Sequence, residues 1–106
     1  MADKTAFLLG DIVSKVRSKN AGPFWATIDI FCGSKDVFSQ VEEKLSTRAV
    51  SQVLGQPSQE LKRFALPDLN VIKFSLPRPE VQGSLRDRDM HGAQWAVLIA
   101  QIELTK

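Results

Sequence analysis

Cysteine and histidine are almost missing from this chain of 106 residues, which has one of each. A lone Cys32 cannot close an internal disulfide, and with His91 as its only nitrogen partner it cannot complete a zinc ligand set. Cys32 lies in an apolar, strand-like run and reads as a small buried thiol, so no metal site is expected. Long apolar runs are missing as well. No segment reaches the roughly 20 apolar residues of a membrane helix, and Met1 to Thr5 has no basic stretch leading into an apolar core. A cytoplasmic protein with no membrane role is expected. Charge of one sign is also scarce: Lys and Arg number 14 against 12 Asp and Glu, interleaved along the chain. That balance argues against nucleic acid as a partner. There is no Ser-His-Asp order, Walker loop or dinucleotide fingerprint, and Gly10, Gly22 and Gly33 are scattered.

What remains is an ordinary compact composition, 43% hydrophobic and 25% charged, in a length that suits one domain over residues 1–106. Phe24 to Cys32 alternates, with Phe24, Ala26, Ile28 and Ile30 against Trp25, Thr27, Asp29 and Phe31, and predicts a strand. Leu8 to Val16 also fits one helical face through Leu8, Ile12 and Val16. Its short connection to a strong strand favours a second strand and a hairpin. Ser34 opens a helix with Val37, Phe38, Val41 and Leu45 at helical spacing, and Ser46 or Thr47 caps a second one that Gly55 and Pro57 end. Glu60 to Leu66 and Asn70 to Leu76 read as two more strands. From Pro77 to Arg88 there is no periodicity, and residues 90–102 fit strand and helix equally well. This order predicts an α+β sandwich, a largely antiparallel sheet with helices on one face.

Between the first two apolar runs lies Arg17-Ser18-Lys19-Asn20-Ala21-Gly22-Pro23. Gly22 can take a positive φ and Pro23 fixes re-entry, so the segment reads either as a preorganised anion-holding loop or as a solvated basic turn. Arg17, Ser18, Lys19 and Asn20 are its candidate ligands, and an Arg fork grips a carboxylate bidentately. Lys73 and Arg78 can reach the same sheet edge in a hairpin-based fold. His91 is the only side chain with an ordinary pKa near neutrality, and Asp89 stands two residues away to orient its ring. Acid-base catalysis and simple packing at a helix start are both open for His91. Trp25 and Trp95 suit core or interface equally.

The basic segment, the Thr27-x-Asp29 pair, Lys73 with Pro77-Arg78-Pro79, Gly83-Ser84 and Asp89-x-His91-Gly92-Ala93-Gln94 resemble the pattern of an uncharacterised bacterial family of about 100 residues. Its members tend to be encoded beside proteins related to AtuA, the acyclic terpene utilisation protein. Arg17-Ser18 with Gly22, and Asp89 with Gly92, also resemble motifs of the ferredoxin-like C-terminal domain of AtuA-type proteins. That likeness implies a ferredoxin-like two-layer sandwich and a helix from Asp89 to Ala100.

The resemblance implies a small subunit that docks on a larger AtuA-like chain and helps form a carboxylate or CoA-ester site. Arg17, Ser18, Lys19, Asn20, Lys73, Arg78 and Gln94 would bind, and His91 and Asp89 would catalyse. It also implies lyase (hydratase or dehydratase) or isomerase chemistry in organic-acid catabolism. The resemblance leaves the cofactor unknown. The alternative reading is a stand-alone anion or small-molecule binding module, homo-oligomeric and without catalysis.

Overall fold

The computed structural model describes residues 6–22, 24–77 and 93–105. The described residues begin with a short strand β1 (Ala6–Leu8) and a single helical turn α1 (Leu9–Ile12). Two longer strands follow, β2 (Lys15–Asn20) and β3 (Trp25–Phe31). The strand expected from Leu8 to Val16 is therefore broken in two by a helical turn. The turn is closed by the Val13 N–H, which donates to the Leu9 carbonyl at 3.2 Å, and it carries both Leu9 and Val13 into the core. Gly10 permits the close approach, since a Cβ there would lie 2.9 Å from the Cβ of Ala100. The hairpin is present, but Lys15–Asn20 is its first strand. Arg17, Ser18, Lys19 and Asn20 thus lie in a strand and not in a loop. The turn is confined to the residues after them, where the Ala21 N–H donates to the Trp25 carbonyl at 2.9 Å and Gly22 has φ +85°.

Helix α2 (Lys35–Lys44) starts at Ser34, whose hydroxyl accepts from the Val37 N–H at 3.2 Å. Helix α3 (Thr47–Leu54) is capped by Ser46, which accepts from the Ala49 N–H at 3.0 Å, and it ends at Gly55 with φ +70°. Strands β4 (Lys62–Leu66) and β5 (Val71–Pro77) are joined by a tight turn in which Asn70 takes φ 54°. The ambiguous C-terminal stretch is a helix, α4 (Ala93–Ala100), followed by strand β6 (Glu103–Thr105). Ile99 is fully buried while its neighbour Leu98 and also Val97 are exposed, a helical pattern and not an alternating one. Strand β6 pairs antiparallel with β1 in a second small sheet, fastening the two ends of the described chain together.

The main sheet has the order β2-β3-β5-β4, with every pair antiparallel, so the protein is a compact α+β fold. Ala26, Ile28 and Ile30 from β3 and Ile72, Phe74 and Leu76 from β5 are completely buried on one face. Phe38, Val41, Leu45, Val50 and Ile99 from the helical segments close over most of them in a single core. Each such side chain contributes about 1.5–3 kcal/mol by leaving water. None of the described helices is long and apolar enough to cross a membrane.

Candidate functional site

Strand alternation sends the other half of each strand to the opposite face of the sheet. The register fixes which side chains meet there. Arg17 stands opposite Asp29, Asp29 opposite Lys73 and Lys73 opposite Phe64, so these four form one row across all four strands. The next row is Lys19, Thr27, Ser75 and Lys62, and on the other side lie Lys15, Phe31, Val71 and Leu66. Directly opposed Cβ atoms are about 4.5–5.5 Å apart, so each row is a contiguous strip of side chains.

Charge is sorted on this face. Lys15, Arg17, Lys19, Lys62 and Lys73 are set against the single carboxylate of Asp29. The chain as a whole is nearly balanced, with 14 basic and 12 acidic residues, so the acids lie mostly elsewhere. Interleaving along the sequence does not persist in space, because a period of two puts Lys15, Arg17 and Lys19 side by side.

The centre of the face is chemically incomplete. Thr27 and Asp29 are each 8% exposed, and Thr27 Oγ1 and Asp29 Oδ1 are buried without a hydrogen-bond partner. A buried acceptor left unmade costs about 1–3 kcal/mol, more when charged. The Lys73 ammonium lies 3.9 Å from Asp29 Oδ1, too far for a hydrogen bond. Among the described residues Arg17, directly across from Asp29, forms no ion pair. Aromatic side chains border the polar centre: Trp25 is 41% and Phe64 46% exposed, and the Lys62 ammonium sits over the Trp25 ring, 5.7 Å from its centre. That cation–π contact holds Lys62 flat along the face.

Arg63, one residue on, faces the other way. Its guanidinium donates to the carbonyls of Leu45 and of Glu42, the latter at 2.8 Å, and so caps the C-terminal end of α2. Cys32 is also on the core side, 2% exposed, with its thiol pushed up to about 11 by burial, which makes it an inert packing group.

The structure brings Arg17, Lys19 and Lys73 to one face. Ser18 and Asn20 belong to the alternate positions of β2 and point to the other side. Gln94 lies in the first turn of α4. Arg78, Asp89 and His91 lie outside the described residues. No group of three His, Cys, Asp or Glu that would hold a metal ion occurs among the described residues. Thr27 and Asp29 are the central groups that sequence reasoning left out of the site, along with Lys15, Lys62, Trp25 and Phe64. The available signal was the Lys-x-Arg-x-Lys alternation from Lys15 to Lys19, which is hidden once the segment is taken for a loop. Guanidinium and ammonium groups flanking unpartnered oxygens suit recognition of a small anion that also carries a hydrogen-bond donor.

A family model described as a domain of unknown function, DUF4387, matches residues 9–103, and the chain belongs to that family. No curated protein and no solved structure matches it.

Proposed function

We propose that this chain is a small docking subunit whose outer sheet face closes a carboxylate site against a larger chain, AtuA-like as the sequence resemblance implies. One observation carries the reading: two buried oxygens without hydrogen bonds, of Thr27 and Asp29, lie beside Arg17 and Lys73 on a face bordered by exposed Trp25 and Phe64. Arg17 holds the substrate carboxylate through its fork, Lys73 adds a second positive charge, and Asp29 and Thr27 accept from a hydroxyl on the same molecule. A free hydroxy acid, or the CoA ester of a hydroxy diacid, meets these demands. Exposed aromatics at the rim supply the apolar contact area that anchors a protein interface.

The reaction class, hydration–dehydration or isomerisation, follows from the resemblance; Asp89 and His91 enter as contributors because the imidazole alone has an ordinary pKa near neutrality, and the cytoplasm as the setting comes from the sequence pattern of Met1 to Thr5. The strand order supports the ferredoxin-like part of the reading. It is the order such a sheet has when its last strand comes first in the chain.

Co-expression with the AtuA-like chain followed by size-exclusion chromatography tests the proposal. Stable co-elution that Trp25→Asp abolishes, with the fold intact by circular dichroism, is the expected result. Separate elution of the two wild-type chains would favour the stand-alone binding module instead.

A further inference from the structure

The main sheet has two edges, and they are defended unequally. Unpaired edge strands recruit other strands unless charge, a bulge or a covering element blocks them. Strand β2 carries Lys15, Arg17 and Lys19, and α4 packs against it. Strand β4 also has two cations, but both are committed elsewhere. Lys62 lies over Trp25, and Arg63 is drawn to the end of α2. What β4 presents is Phe64 at 46% exposure, Ala65, and Leu66 at 37%, followed in the turn by Leu69 at 69%.

We infer that the β4 edge is a self-association seam, at which two copies of this chain pair β4 antiparallel about a twofold axis at Phe64. The register is self-complementary. Phe64 meets Phe64 of the partner subunit, Lys62 meets Leu66 of the partner subunit, and Arg63 meets Ala65 of the partner subunit. No like charges are opposed, and aromatic pairs across strands are among the favourable ones. Pro67, which lacks an N–H, ends the pairing just beyond Leu66. A twofold axis perpendicular to the sheet makes it eight-stranded and keeps both outer faces on one side. The seam therefore leaves Arg17, Thr27, Asp29, Lys73 and Trp25 of each copy uncovered, and it takes up Phe64 from the rim of the face proposed for function.

Light scattering on the full chain after size exclusion, across micromolar to near-millimolar concentrations, reads the seam directly. The expected mass is twice the 11.8 kDa of one chain, and Phe64→Lys halves it while circular dichroism stays as in the wild type. Register is read by oxidation of single-cysteine additions, with buried Cys32 inert. Residues facing each other across an antiparallel pair have Cα atoms about 4.5–5.5 Å apart, within disulfide range. Phe64→Cys should cross-link to its copy, whereas Leu66→Cys, with its copy roughly 13 Å away, should not. A wild-type chain that stays monomeric throughout, a dimer indifferent to Phe64→Lys, or cross-linking by Leu66→Cys in place of Phe64→Cys would each overturn the inference.

Discussion

The two faces of the main sheet are built from the same strands and obey opposite rules. On the inner face Ala26, Ile28, Ile30, Ile72, Phe74 and Leu76 are apolar and fully buried. On the outer face the residues between them include a buried carboxylate and hydroxyl without hydrogen-bond partners, framed by cations and exposed rings. Stability is concentrated on the first face and sacrificed on the second. A group that is costly to bury is kept where it can meet something outside the chain, and that contrast is the main reason to place function on the outer face.

The sharpest way to break the comparison is to truncate one side chain on each face. Phe74→Ala should cost about 3–5 kcal/mol, the range for emptying an aromatic site in a close-packed core. Thr27→Val, one row away on the outer face, should leave stability unchanged or raise it, because an unpaired hydroxyl is replaced by a methyl of the same shape. Urea melts of the two variants read both outcomes. Equal losses would mean that Thr27 has a structural partner and that the outer face is not incomplete.

Cys32 sharpens the inner side of the contrast through pH. Burial raises the thiol from its ordinary 9.0 to about 11 in the folded chain, so the unfolded chain releases the proton first. The stability linked to this group is fully present below pH 9 and is lost as pH rises toward 11, a loss on the order of 2–3 kcal/mol. Denaturant melts from pH 8 to 11 on the wild type and Cys32→Ala should show this extra decline only in the wild type. Parallel declines would exclude a buried neutral thiol.

Two arginines on the hairpins make a smaller but cleaner pair. Arg63→Ala removes charge-assisted hydrogen bonds from the end of α2 and should cost about 1.5–3 kcal/mol. Arg17→Ala, on the outer face, should stay within about 0.5 kcal/mol. Thermal melts of the two distinguish structural from functional use of the same side chain. Between the same strands, Gly22→Val should lose about 1–2 kcal/mol and Gly22→Asn less. The φ of +85° strains a β-branched residue, while nothing lies within 4 Å of a Cβ there.

Much of this division was legible in the sequence, and the failures have physical causes. The alternation from Phe24 to Cys32 and the caps at Ser34, Ser46 and Gly55 depend on local chemistry, so β3, α2 and α3 could be read directly. The N-terminal region could not. Leu9 and Val13 turn inward only because Ile102 accepts from the Leu9 N–H at 2.8 Å and Ala100 leaves room for Gly10, both contacts from the far end of the chain. Placing the first strand too early turned Arg17 to Asn20 into a loop. It also concealed that Arg17 and Lys19 share a face with Lys73 while Ser18 and Asn20 do not. Asp29 was visible as a motif residue, but that it is buried without a hydrogen bond depends on strands remote in sequence.

The claim that the outer face binds an anion is tested most directly by titrating the 15N-labelled full chain with malate, a hydroxy acid, and following amide shifts by NMR. Shifts should gather at Arg17, Thr27, Asp29 and Lys73. Arg17→Ala should abolish them, at an unchanged melting temperature. Shifts confined to other parts of the chain, or a response at the same residues that survives Arg17→Ala, would contradict the account.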